Sequence, residues 1–472
     1  METGASTNGL GHLRAAISRL PKAATEGTSP LGLVAFRILF GLLVSFSAAR
    51  FLWLGWVERC FVEPRVFFHY WGLSFIQPMD GEAMTALFGV MIACGVLIAL
   101  GALYRLATLT FFLVFTYVEL CDVTNYLNHY YLVSLLALLL GCLPLHRAYS
   151  IDAWLRPTLR RAYFPAWWTF LLRGQIVVVY LFAALGKAQP DWLLHGQPMG
   201  IWLASRDETP VIGTLLIMPG MALLMSWSGF LYDLTIPVWL SWPRTRGFAY
   251  VVVLGFHGMV GLLFPIGMFP WIMIVATTVF FAPDWPRRLL SRALPANAPS
   301  SSTPRPSWAV GLAALYLVVQ VVVPLRALAY GGDVLWHEQG MRWSWRVMVR
   351  EKNASVTYRV RTDGRARERL ISPGDYLTPV QEREMVGQPD LILQLAHLIA
   401  DDLRRRGMHD VEVRVDALAS LNGRPMQRLI DPDVDLTTLD DSLMPAAWIL
   451  PAPDGPPPTL TPRRIERVAE AL

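Results

Sequence analysis

Lysine is nearly absent from this chain: all but three of its 41 basic residues are arginine, the exceptions being Lys22, Lys187 and Lys352. Charge as a whole is scarce, at 16% of 472 residues, where soluble domains carry about 25%. Set against 54% hydrophobic residues, that shortage excludes a soluble protein over the whole length and points to lipid. The net charge of +5 is scattered through connecting segments. With no stripe of Lys and Arg interleaved with aromatics, no nucleic-acid partner is expected. Cysteine is limited to Cys60, Cys94, Cys121 and Cys142, which excludes a disulfide involving the later part of the chain. Cys94 and Cys142 sit in apolar runs and read as buried thiols. No CxxC or Cys/His cluster is present, so no metal is expected.

What the sequence does contain is a series of long apolar runs before residue 330. A spanning helix needs about 20 mostly apolar residues. Nine candidates follow: 31–56, 84–104, 106–121, 130–146, 166–187, 210–240, 248–264, 267–282 and 308–326. The sixth contains Pro219, Gly220 and Pro237 and is expected to break or re-enter. The expected fold class is mainly α, a multi-pass transmembrane helical bundle of about nine spans with a C-terminal extramembrane α+β domain. The expected boundaries are a polar N-terminus (1–30), a transmembrane domain (31–326), the extramembrane domain (327–450) and a Pro-rich tail (451–472). A Pro/Ser-rich linker covers 293–307. Segments 342–350 and 355–362 read as strands, with Asp363-Gly364 as a hairpin turn. Residues 389–406 read as an amphipathic helix, followed by a strand near 410–417 and an Asn422-Gly423 turn.

Ionisable groups inside spans are expensive and mark functional or paired positions. Here they are Glu119, Asp122, Asn128 and His129, then Arg173, Lys187, Asp233 and His257. Nine spans would bring Glu119, Asp122, Asn128, His129 and Lys187 to one membrane boundary, with His257 near mid-span. Each also has a structural reading. A lysine at a helix end commonly snorkels to the interface, and His129 suits an interface. His257 suits a satisfied core histidine. Arg173 and Asp233 read as a structural ion pair, because an unpaired charge at that depth is costly.

At these residues the chain resembles a known family. The stretches Tyr126-Leu127-Asn128-His129-Tyr130-Tyr131, LLRGQIVVVYLFAALGKAQPDW (171–192), FHGMVGLLFPIGMFPW (256–271) and APDWPRRL (282–289) are similar to the vitamin K-dependent gamma-carboxylases. Trp343-Ser344-Trp345 and RLIDPDVDL (428–436) extend the likeness through the C-terminal part. The resemblance implies vitamin K hydroquinone as co-substrate, with O2 and CO2. Lys187 would be the base on the hydroquinone. Asn128 and His129 would contact the quinone oxygens, His257 would be a further functional histidine, and Tyr126, Asp191 and Trp192 would bind substrate. The implied reaction oxygenates the hydroquinone to its epoxide and carboxylates a protein glutamate. A glutamate-containing protein or peptide, the lipid bilayer and a quinone reductase activity for recycling are the implied partners.

The choice of lysine has a physical reason. An amine accepts a proton only when uncharged, and apolar surroundings favour that form. A guanidinium keeps its charge in the same place. Two positions depart from the family pattern: Ala327 stands where a histidine is expected, and Val260 where a polar side chain is usual. Two other readings therefore stay open, a quinone-oxygenating homologue without peptide carboxylation and a non-enzymatic membrane interaction protein.

Arginine placement sets the expected orientation. With nine spans and a cytoplasmic N-terminus, Arg105, the 147–161 segment, Arg244 with Arg246, and Arg287, Arg288 and Arg292 all fall on the cytoplasmic side, as the positive-inside bias requires. The C-terminal domain is then non-cytoplasmic. A reporter enzyme fused after residue 472 should be active only outside the cytoplasm; activity confined to the cytoplasm would show an even number of crossings.

Overall fold

A computed structural model describes residues 26–289, 307–363 and 367–458. Most of the N-terminal segment, most of the linker, Gly364 of the expected hairpin turn and the tail beyond 458 lie outside the described residues. The apolar runs form α1 (Leu31–Trp53), α2 (Gly81–Leu100), α3 (Tyr104–Leu120), α4 (Asn128–Cys142) and α5 (Ala166–Lys187). They continue as α6 (Met221–Ser241), α7 (Arg246–Leu263), α8 (Phe269–Thr277) and α9 (Ser307–Leu325).

Among the described residues six helices, not nine, are long and apolar enough to cross a membrane: α1, α2, α5, α6, α7 and α9. The other three segments are apolar but fold into shorter helices. α3 has 17 residues and carries Arg105 and Glu119. α4 has 15 residues, and α8 has 9 before it tightens into a 3-10 turn at Thr278–Phe280. The break expected in segment 210–240 falls at Pro219-Gly220. A short helical turn at Gly213–Leu216 precedes it, and α6 starts behind Gly220, whose φ is 84°. Pro237 is accommodated inside α6.

Local chemistry explains the helix ends. Asp80 caps α2 by accepting from Ala83 N at 2.9 Å, and Gly101 closes it in the left-handed region at φ 64°. α1 and α2 cross closely because glycines face each other. A Cβ on Gly95 would lie 2.8 Å from Gly41 O and from Ser45 Cβ. Small residues let helix backbones approach in lipid, where the hydrophobic effect does not drive association.

The two ends of the bundle differ in chemistry. At one end Arg37, 1% exposed, donates to the carbonyls of Ala99, Leu145, Ala148 and Tyr149. Arg105 bonds Gly141 O and Arg246 bonds Leu240 O at the same end. The opposite end, reached by Asn128 and Lys187, carries the C-terminal domain.

That domain has a four-stranded antiparallel sheet of β1 (Lys352–Arg361), β2 (Arg369–Ile371), β3 (Glu412–Leu421) and β4 (Gln427–Arg428), in the order β2-β1-β3-β4. Helix α10 (Pro389–Arg405) packs its apolar face on the sheet, with Leu391, Leu395 and Ile399 fully buried. Asn422 and Gly423 make the β3–β4 turn with φ of 53° and 80°.

Residues 342–350 are not a strand. Trp343, Trp345 and Met348 have φ of 59°, 59° and 50°, which no sheet ladder accommodates. The segment instead bridges two cores. Trp345 stacks on Tyr131 of α4 at 4.8 Å, and Trp343 stacks on Tyr70 at 5.3 Å. The cysteine reading also needs one correction. Cys94 is buried, whereas Cys142 at the end of α4 is exposed.

The close α1–α2 crossing predicts that Gly95→Val destabilises the protein by about 1–3 kcal/mol through overpacking. Gly89→Val is the control, since a Cβ there meets nothing within 4 Å. Unfolding of the purified variants in lipid checks this, and equal stability of the two would contradict it.

Candidate active site

Helix periodicity assembles one cavity of about 720 Å³ near the end that carries the C-terminal domain. On α5, Tyr180, Ala183 and Lys187 recur every three to four residues and share a face. Gly229 and Asp233 of α6 lie opposite, and His257 and Val260 of α7, Phe269 of α8 and Val347 complete the wall. The lining is mainly apolar, with a few convergent polar groups, which is the usual make-up of a small-molecule site.

Lys187 is 7% exposed. Its Nζ donates to Asp233 Oδ2 at 2.8 Å, to Ala183 O at 3.4 Å and to Val347 O at 3.5 Å. It also lies 5.5 Å from the centre of the Trp192 ring. Asp233 therefore does not pair with Arg173, as was expected. Arg173 instead donates to the carbonyls of Val279, Phe280 and Phe281, at 2.8 to 3.2 Å. Those carbonyls follow the end of α8 and lack intrahelical partners, and a guanidinium matches a row of helix-end carbonyls.

His257 is 1% exposed. Its Nε2 is 3.3 Å from Tyr180 Oη, which is 3.2 Å from Tyr232 Oη. Its Nδ1 has no partner although the ring lines the cavity. A buried polar atom left unmatched costs free energy, so this nitrogen is where a ligand would gain most.

Asn128 and His129 do not line this cavity; they sit beside it at the start of α4. Tyr126 Oη donates to Asn128 Oδ1 at 3.0 Å and accepts from Trp343 N at 2.7 Å. Asn128 Nδ2 lies 3.5 Å from Arg346 O. Lys187 and Asn128 thus contact consecutive carbonyls of one segment, 346 and 347. His129 is 7% exposed, and its ring sits 5.9 Å from Phe269, whose other neighbour is His257 at 5.8 Å.

Asp191 and Trp192 are engaged with protein. Arg424 grips the Asp191 carboxylate with two bonds of 2.6 and 2.7 Å, and Asn422 adds a third at 2.7 Å. Trp192 donates its indole N–H to Ser226 O at 2.7 Å while its ring lines the cavity. Asp191 therefore has the geometry of a clamp, fixing the turn after Lys187 to the β3–β4 hairpin. Of the two departures from the family pattern, Val260 is in the cavity wall. Ala327 is buried, and Gly340 leaves no room for a side chain between them.

Sequence reasoning missed Tyr180, Tyr232, Phe269 and Arg424. The first three had a readable signal: Tyr180 lies two helical turns before Lys187, Tyr232 adjoins Asp233, and Phe269 is inside a quoted motif. Arg424 had none, because its partner is more than 200 residues away. Among the described residues no group of three or more His, Cys, Asp or Glu side chains could hold a metal ion.

Two family matches cover most of the chain. Residues 26–285 match the HTTM domain, and residues 305–455 match the lumenal domain of vitamin K-dependent gamma-carboxylase. No solved structure matches.

The Asp191 clamp makes a pH prediction. Burial opposes the charge, but the bonds from Arg424 and Asn422 outweigh it and hold the carboxyl below its ordinary range. Its stabilisation is complete above the unfolded value of about 3.9 and is lost as pH falls through the lower folded value. Arg424→Ala should be less stable than wild type at neutral pH, and the gap should narrow as pH falls from about 5 to about 2. A gap independent of pH would show that the carboxylate plays no part.

Proposed function

The chain belongs to the vitamin K-dependent gamma-carboxylase family, and from that membership we propose that it couples epoxidation of vitamin K hydroquinone to carboxylation of protein glutamate. The observation that supports this most is the amine of Lys187, held in an apolar cavity against Asp233 and across from a histidine with a free nitrogen.

The residues present suit the quinone. The cavity joins mainly apolar walls to a few polar groups, as small-molecule sites do, and His257 Nδ1 has no protein partner. Lys187 would face one quinone oxygen and His257 would hold another. Asn128, oriented by Tyr126, and His129, packed behind Phe269, lie outside the cavity lining and would act on the ring through segment 346–347 and Phe269. When bound, the hydroquinone supplies the reducing power for O2 and, after oxygenation, the strong base that the glutamate proton requires.

The chain's own part is proton handling and dryness. An ammonium at Lys187, whose three N–H directions all have acceptors, has no lone pair to offer because the third proton occupies it. Passing one proton to Asp233 frees the lone pair while the pair stays neutral overall. The freed amine can then take the hydroquinone's proton. The apolar walls exclude water, which would quench a strong base.

We further place the end bearing the C-terminal domain on the non-cytoplasmic side, because the arginine-rich loops gather at the opposite end. The shorter α3, α4 and α8 also run from one end to the other, so six long helices do not require both termini on one side. A glutamate-containing peptide would then approach from that side, and a quinone reductase activity would regenerate the hydroquinone. A second reading, epoxidation without carboxylation, has one supporting observation. Val260 and Ala327 place no proton-carrying side chain at two positions where the family has polar ones.

A coupled assay separates the readings. Purified protein in lipid is given reduced vitamin K, O2, labelled bicarbonate and a glutamate-containing peptide. Epoxide with labelled peptide is the expected result, and epoxide alone would favour the second reading. Neither product from folded protein would overturn both. Lys187→Ala and Lys187→Arg should each lower epoxide formation by about 10²-fold or more, as loss of a general base does. Asp233→Asn should lower it by about tenfold or more. Full epoxide formation by Lys187→Arg would refute the assigned base, since a guanidinium cannot act as one.

A further inference from the structure

Glu119 takes no part in the cavity around Lys187. It lines a second one, of about 680 Å³, enclosed by α1, α2, α3, α4 and α8. The two cavities share α8 as a partition. Ile272 faces the second cavity, and Phe269 and Met273 face the first. His129 stands at the divide, its ring 4.6 Å from Tyr130 of the second cavity and 5.9 Å from Phe269 of the first.

The walls of the second cavity are aromatic and aliphatic, with Phe51, Phe88, Phe111, Phe115 and Tyr130 contributing rings. One Glu119 oxygen, Oε2, accepts from Ser134 Oγ at 2.6 Å, and Ser134 is in turn within 3.3 Å of Thr116 Oγ1. Glu119 makes no other hydrogen bond or ion pair among the described residues. A carboxyl kept in an apolar chamber with one oxygen unmatched is costly. Asn125 adds a polar group at the same rim.

We propose that this chamber is a second ligand site, which takes an apolar molecule with a hydroxyl head through a hydrogen bond between that hydroxyl and Oε1 of Glu119. The ring-lined walls suit an aromatic head or an unsaturated chain. A carboxyl accepts at Oε1 when ionised and can donate there when neutral, and a hydroxyl head matches either state. Two sources share this chemistry, an isoprenoid hydroquinone and a lipid with a free hydroxyl such as diacylglycerol. The hydroquinone source rests on the proposed function, and the hydroxyl-headed class does not.

The test is equilibrium binding under argon to the full chain in phosphatidylcholine nanodiscs. The probes are an isoprenoid naphthohydroquinone, its dimethyl ether and diacylglycerol. Glu119→Leu and Val133→Trp, the latter filling the cavity, should each bind one equivalent less of a hydroxyl-headed probe than wild type. Glu119→Leu should melt no lower than wild type, and both variants should keep epoxide formation. The dimethyl ether, which cannot donate and puts a methyl group at the point of contact, should bind at this site at least tenfold more weakly. Diacylglycerol that removes the Glu119-dependent equivalent of hydroquinone would identify the source as lipid. Unchanged stoichiometry in both variants would overturn the proposal, as would an ether that binds as tightly as the hydroquinone. Should epoxidation fail while the Glu119-dependent equivalent persists, the proposed function falls and this site stands.

Discussion

Burying an amine in an apolar bundle is so unfavourable unless it is paired that Lys187 dictates much of what surrounds it. Asp233 must come within reach, so α6 has to cross α5 at that depth. The break at Pro219-Gly220 lets α6 start afresh and place Asp233 opposite the lysine. The remaining N–H directions need carbonyls. Ala183 supplies one from the preceding turn, and Val347 supplies another from the C-terminal part. A single buried nitrogen thus ties three parts of the chain together.

The C-terminal domain therefore belongs to the site. Its irregular segment 342–350 inserts Trp345 into the membrane core and presents carbonyls 346 and 347 to Asn128 and Lys187. Arg424 and Asn422 grip Asp191 four residues after the lysine, and Glu351 accepts from the indole N–H of Trp202 in the cavity wall at 2.7 Å. A peptide approaching this domain would meet a surface held rigidly to the helix end that carries the amine.

How much was legible in the sequence follows from the range of each interaction. Lys187 and His257 stood out because a charged or polar residue in an apolar run is visible locally. The family was legible from motifs in order. Asp233 was visible too, but its partner was not. Arg173 looked equally available until the end of α8 supplied carbonyls for it. Apolar composition overstated the spans, since α3, α4 and α8 end sooner than their apolar runs suggest. Segment 342–350 was misread because Trp-Ser-Trp imitates strand alternation, although its two indoles serve different cores. The second cavity could not be seen at all: its walls come from five helices, and only Glu119 hinted at it.

The central claim is that Asp233 stores the proton that Lys187 must lose before it can act. Difference infrared spectroscopy under argon, with labelled aspartate and with Asp233→Asn to assign the band, reports that proton directly. The account predicts that hydroquinone binding brings up a protonated-carboxyl band from Asp233. A carboxylate that stays ionised while the hydroquinone loses its proton would contradict it.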